Sequence, residues 1–443
     1  MPPPAAGAAT RRQDTERAID ALRRIESARI TAVLTRLVGD FSAAEELAQD
    51  ALVAALEQWP TTGVPDNPGA WLTATAKHRA IDLIRREQRY ARKLAQLGRE
   101  LEGERPPGPE ELAPALGDAI EDDLLRLVFT ACHPVLSTEA RTALTLRVIG
   151  GLRTDEVARA FLTTEATVAQ RIVRAKRTLA RAEVPYEVPE GAELVTRLGS
   201  VLEVVYLIFN EGYAATAGDD WMRPALCEEA MRLGRLLAGL MDGAAEVHGL
   251  VGLMELQASR SAARTGPGGE SVLLLDQDRG RWDQLLIHRG LAALDRAWGL
   301  ATPPGPYTLQ AAIAACHARA RTAAGTDWVR IAALYTALAE RAPSPVVELN
   351  RAVALGMAFG PEAGLDLVDQ LRDEPSLKAY HLLPAARGDL LARLGRHTEA
   401  AAEFERAAAL TRNGRERAVL LGRATASAHE AGAGARPDGD AVP

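Results

Sequence analysis

The stretch LSTEARTALTLRVIGGLRTDEVARAFLTTEATVAQRIVRAKRTLAR, residues 136–181, decides how this chain is read. It divides into three helical runs. Gly150-Gly151 stops the first, Thr154 is placed to cap the second, and Thr163 or Thr164 the third. The third run carries Arg171, Arg174, Lys176, Arg177 and Arg181, with Ile172, Val173 and Leu179 as its apolar side. A short basic helix after a tight turn fits a DNA major groove, where cations meet phosphates and polar side chains meet base edges. Thr167, Gln170, Arg171, Arg174 and Lys176 are the candidate duplex contacts.

Around this block the composition predicts an all-α protein. Leu, Ala and Arg dominate the 443 residues and β-branched runs are scarce. The length suggests about three domains. The net charge of −7 excludes a generally basic DNA binder, so any DNA contact must be local. Cys132, Cys227 and Cys316 lie far apart and form no CxxC pair. That predicts neither a disulfide framework nor a metal knuckle, and a reducing cytoplasm. No signal peptide and no membrane-spanning run is expected.

The expected organisation begins with a disordered tail, 1–15. A helical domain follows at 16–97, broken at Gly39-Asp40 and by a loop from Pro60 to Pro68. Residues 98–117 hold Gly103, Pro106, Pro107, Gly108, Pro109 and Pro114 and read as a linker. The helix-turn-helix domain spans 118–184, and Pro185 and Pro189 mark a boundary. A helical domain at 190–300 precedes helical repeats at 307–425, with a second disordered tail at 426–443. Gly388, Gly395, Ala400, Phe404 and Ala407 match the small-small-small-aromatic-small spacing of a tetratricopeptide unit. Asn350 to Leu371 reads as a degenerate copy, with Ala352 and Gly360 at corresponding places. An Ala-rich helical hairpin is the alternative.

Two charged helices complete the pattern. Along Ala44 to Trp59, one face carries Ala44, Leu47, Ala48, Ala51, Leu52, Ala55, Leu56 and Trp59, and the other carries Glu45, Glu46, Gln49, Asp50, Glu57 and Gln58. Such an acidic face is either simply solvated or a docking surface for basic helices of a partner. Trp71 to Lys93 concentrates Lys77, Arg79, Arg85, Arg86, Arg89, Arg92 and Lys93 beside Trp71 and His78. Cations with aromatics suit unstacked single-stranded DNA, although Trp71 alone reads more readily as core.

Taken together, these blocks resemble extracytoplasmic-function sigma factors of the sigma-70 family. Residues 43–50, Ala-Ala-Glu-Glu-Leu-Ala-Gln-Asp, resemble the polymerase-docking helix; residues 70–76 and 79–86 resemble the helix that handles the −10 element. Residues 155–158 and 167–176 resemble region four, which reads the −35 element. The resemblance implies no cofactor and no active site. It implies docking on the β′ clamp helices of core RNA polymerase through Glu46, Leu47, Gln49 and Asp50, and promoter contact at −10 through Trp71, Lys77, Arg79, Arg85 and Arg86. Ala169 and Gln170 stand where the family often has Lys and Ser. The second half, with residues 207–213, 275–279, 282–283 and 310–317, resembles the long extension of one subgroup, a helical domain followed by tetratricopeptide-like repeats; the resemblance implies that the extension is needed for activity and that small DGPF-type (YCII-related) proteins are often encoded nearby. A protein partner of the repeats is expected.

Two other classes compete. One is a stand-alone helix-turn-helix regulator with a ligand-sensing domain, which has no need of the two N-terminal motifs. The other is an enzyme using Asn210, Glu211, Tyr213, Asp276, Asp278, Arg279, Asp283 and His288. These show no HExxH, nucleophile elbow, P-loop or dinucleotide turn, and structural capping and pairing explain them as well. Adjacent Cys132 and His133 lack metal-ligand spacing.

Overall fold

In the computed structural model, residues 22, 26–97, 120–161, 163–213, 222–267, 272–300, 303–411 and 413–434 are described; they form helices and turns, with no strand among them. The tail at 1–15 and the linker at 98–117 lie outside the described residues. The chain divides into two compact units, Met1–Leu207 and Ile208–Pro443.

In the first unit, α1 (26–38) and α2 (Phe41–Thr62) are separated at Gly39, and Asp40 caps α2 by accepting from the Ala43 N–H at 2.6 Å. The helix runs through Pro60 for a last half turn, so the loop before α3 (Pro68–Leu97) is shorter than the prolines suggest. The core of this half joins Ile30, Leu34, Leu47, Ala48, Ala51, Leu52, Trp59, Leu72, Ala76 and Ala80. Small residues on α2 and α3 let the two helices approach closely. Leu56, expected in that core, is 44% exposed, and Glu45, expected on the solvent face, is buried.

Helix α4 (Ile120–Ala131) leads into α5 (Thr138–Val148), α6 (Thr154–Ala160) and α7 (Glu165–Arg181). Gly151 takes φ +66 between α5 and α6, a conformation that disfavours a Cβ. Thr154 is the first residue of α6 and does not cap it. Instead Glu156 reaches back to accept from the Arg153 N–H at 2.6 Å. Thr164 caps α7, accepting from the Thr167 N–H at 3.2 Å.

The boundary expected at Pro185–Pro189 moves. Helix α8 (Gly191–Tyr213) begins after these prolines, and its first half is fastened to α4 and α5. Arg197, 3% exposed, donates to the Phe129 carbonyl at 3.1 Å; Ser200 Oγ donates to the Cys132 carbonyl at 2.7 Å. Arg141 donates to Ser200 Oγ and pairs with Glu203 at 3.1 Å. Tyr186 Oη donates to the Ala32 and Asp123 carbonyls at 3.0 and 2.9 Å. Buried guanidinium groups need partners, and α8 supplies them. The division therefore falls inside α8, at Leu207.

In the second unit, α10 (Ala245–Ala258) is buried almost all round and packs against α9 (Pro224–Leu240), α11 (Gln284–Gly299) and α12 (Pro306–Arg319). From α12 onward each helix packs on the next: α13 (Trp328–Arg341), α14 (Pro345–Phe359), α15 (Pro361–Gln370), α16 (Leu382–Arg393), α17 (His397–Leu410) and α18 (Gly414–Gly434). A Cβ on Gly388 would lie 2.9 Å from the Phe404 ring, so the expected close approach of α16 and α17 is real. Between α14 and α15 the close approach is at Gly356 and Gly364, two positions the repeat pattern did not single out. Helix α18 continues past Ser427, which is buried, so no tail begins at residue 426.

Candidate functional site

Helix α2 presents Glu46, Gln49 and Asp50 to solvent, as expected for docking residues. Leu47 faces the core at 9% exposure and acts by holding the helix in place. The helix also exposes Val53 and Leu56, at 50% and 44%. Solvent-facing apolar residues beside an acidic row make an amphipathic contact surface that periodicity assigned in part to the core.

Glu45 is the unexpected residue. It lies 3.5 Å from Arg147 Nε on α5 and is paired with Lys176 of α7, whose ammonium also lies 5.6 Å from the centre of the Phe41 ring. Gln49 Nε2 donates at 2.9 Å to Glu45 Oε1, the oxygen that faces Arg147. Near this junction a cleft of about 210 Å³ runs between Leu52, Val53 and Leu56 on α2 and Arg147, Gly151 and Arg153 at the α5–α6 turn. Arg36 of α1 adds a cross-link, donating to buried Asp123 at 2.8 Å.

On α3, Trp71 packs edge-on against Trp59 with ring centres 5.3 Å apart, and remains partly exposed. Arg79 pairs with Asp50 of α2 at 3.4 Å, so one candidate DNA residue and one candidate docking residue hold each other. Arg85 and Arg86 are exposed; Arg85 has Asp82 at 4.0 Å, and Lys77 is half-buried. The side chains of Arg92 and Lys93 lie outside the described residues.

On α7, Val168, Ile172, Ala175 and Leu179 form the buried stripe. Val173 is not part of it: it is 45% exposed. Gln170, Arg174, Arg177 and Arg181 are exposed, and Arg171 is partly so. The Thr167 hydroxyl is engaged with that of Thr164 at 2.8 Å. Lys176 differs from the other candidates because it is turned toward Glu45.

This geometry agrees with two family descriptions that match the chain: sigma-70 region 2 over residues 17–90 and sigma-70 region 4 over residues 126–179. The chain belongs to the sigma-70 family. As a sigma factor it acts in promoter-specific transcription initiation, with core RNA polymerase and promoter DNA as partners. Residues 197–298 match a family of unknown function, DUF6596. An uncharacterized protein of Rhizobium meliloti (strain 1021) is 43% identical over 388 residues, covering 87% of this chain and 90% of its own length. No solved structure matches.

The polar set considered for catalysis does not converge in this sigma factor. Glu211 pairs with Arg223, Asp278 accepts from the Gly280 N–H at 2.9 Å, and Asp283 accepts from the Leu286 N–H at 3.0 Å. Asn210, Asp276 and His288 are exposed. His133 Nδ1 accepts from the Val135 N–H at 3.1 Å, and Cys132 Sγ lies 3.2 Å from Thr145 Oγ1, with burial pushing its thiol up to about 11. Among the described residues no group of His, Cys, Asp and Glu is arranged to hold a metal, and no helix is long and apolar enough to cross a membrane.

Proposed function

We propose that the chain is an extracytoplasmic-function sigma factor that docks on the β′ clamp helices through the exposed row Glu46, Gln49, Val53 and Leu56. Exposed Arg85 and Arg86 then meet the opened −10 strand, and Gln170, Arg171 and Arg174 read the −35 duplex. The observation that carries this reading is the order and exposure of these surfaces: acidic and apolar on α2, basic on α3, basic on α7. The repeats after α12 regulate activity through a protein partner, since stacked helical pairs suit gripping a peptide segment.

The Glu45–Lys176 pair gives this reading a conformational consequence. Elements centred near −10 and −35 lie about 25 base pairs apart, roughly 85 Å at ~3.4 Å per base pair. A helix held against Glu45 by Lys176 cannot reach −35 while its neighbour α3 sits at −10. The free chain is therefore a closed form, and polymerase binding opens it. Fluorescent labels on α2 and α7 test this: energy transfer should fall when core polymerase is added. Glu45→Lys should lower it in the free protein, and adding Lys176→Glu should restore it. Unchanged transfer on polymerase binding would remove the closed form. Co-purification with core polymerase and run-off transcription test the sigma role itself.

A further inference from the structure

Helix α7 carries one exposed residue that neither its buried stripe nor the residues assigned to DNA account for. The stripe of Val168, Ile172, Ala175 and Leu179 is complete without Val173, and α7 packs against α5 and α6. Val173 is 45% exposed, so burial does not explain an aliphatic side chain there. Helix stability does not explain it either. A β-branched residue loses side-chain freedom in a helix, and Val is a weaker helix former than the Ala, Gln, Lys and Arg residues around it.

Position decides what Val173 can meet. Residues three and four apart are neighbours on a helix surface. For Val173 these are Ala169, Gln170, Lys176 and Arg177. Gln170 and Arg177 are exposed beside it, as is Arg174, the next residue in the chain. Helical side chains lean toward the N-terminus, so Val173 lies over the turn of Ala169. Ala169 ends at its Cβ and cannot overhang the valine methyl groups.

Bare methyl groups beside a glutamine and arginines match one feature of duplex DNA. Of the four bases, thymine alone presents a methyl group in the major groove, at C5, and apolar side chains recognise it by contact. The cations on either side suit the flanking phosphates.

We propose that Val173 is a specificity-determining residue that reads the C5-methyl group of a thymine in the −35 element. Joining the two removes apolar surface of both from water, and a base lacking the methyl forfeits that gain. Gln170 lies about 4.5 Å away along the helix axis, at ~1.5 Å per residue. The thymine therefore falls within about two base pairs of the one Gln170 meets, at ~3.4 Å per pair. This contact rests on the −35 reading proposed above and names a base that reading selects.

The test uses holoenzyme, core RNA polymerase with the full-length protein, and promoters it selects from a pool randomised over the −35 element. Each −35 thymine is then replaced in turn by deoxyuridine, which removes one methyl group and leaves base pairing unchanged. Run-off transcription from limiting holoenzyme, with both duplexes in competition, reads the preference. Wild type should prefer thymine about fourfold at one position, the worth of one buried methyl group. Val173→Ala should bring that ratio close to one, while Val173→Ile keeps it. Arg174→Ala should weaken use of both duplexes alike and leave the ratio unchanged. Selected elements without thymine, a wild-type ratio near one at every thymine, or a Val173→Ala ratio equal to wild type would each overturn the methyl contact. So would loss of co-purification with core polymerase by Val173→Ala, which puts the valine against polymerase instead. A holoenzyme that selects promoters but ignores the methyl defeats this contact and spares the sigma reading; a mixture that selects no promoter defeats both.

Discussion

At the scale of single residues, this sigma factor is governed by what burial does to polar groups. His317 titrates near 6.5 when unfolded and near about 4 in the fold, chiefly because burial disfavours its charged form. Between those values the unfolded chain binds the proton more readily, so stability present above pH 6.5 is lost as pH falls toward 4. Glu416, lowered mainly by its bond to His381, and His133, lowered by burial, push in the same direction. Urea melts of wild type and His317→Gln should diverge by up to about 3 kcal/mol between neutral pH and about pH 4. Parallel pH profiles would show that His317 is not the group responsible. Packing sets a second residue-level expectation. A Cβ on Gly364 would lie 2.7 Å from the Ala352 carbonyl oxygen and 2.9 Å from Gly356 Cα. Backbone cannot rotate away as the Phe404 ring beside Gly388 can, so Gly364→Ala should cost about 1–3 kcal/mol. An unchanged melting temperature would contradict the close approach of α14 and α15.

Elements show where sequence was informative and where it was not. The helix-turn-helix was legible because its signals are local: Gly151 at a positive φ, Thr164 as a cap, and a basic helix with Ile172 and Leu179 at helical spacing. The same periodicity failed for Leu56 and Val173, which one-face counting puts inside and the structure exposes. Those two depend on what packs opposite, which period alone cannot tell. Glu45 was illegible for the same reason, its partners Arg147 and Lys176 lying on other helices. The boundary at Pro189 was misplaced because prolines mark the end of local structure, whereas α8 is tied to α5 by Arg141 and to α4 by Arg197, contacts between residues about sixty apart. Truncation after Pro189 should therefore strip Ser200 and Glu203 from Arg141 and leave the Phe129 and Cys132 carbonyls without their donors, at about 1–3 kcal/mol for each group left buried. Truncation after Leu207 should leave the first unit folded. Equal solubility and equal helix signal for both truncations would refute the role of α8.

For the whole molecule, the deciding property is how little of it is basic. A net charge of −7 leaves DNA attraction to a few arginines on α3 and α7. Counterion release then supplies little affinity to the free protein at physiological salt. The pairing of Asp50 with Arg79 and of Glu45 with Lys176 further occupies cations in the free chain. In the proposed closed form, core polymerase competes for the α2 surface and so frees α3 and α7 for promoter DNA. The most direct measurement is run-off transcription by core RNA polymerase on fragmented genomic DNA, with and without this protein, alongside DNA binding by the protein alone. Discrete start sites that appear only with both components, and only weak binding by the free chain, are the predicted result. Tight, sequence-specific binding by the free chain, with no association with core polymerase, would contradict it and point to a stand-alone regulator.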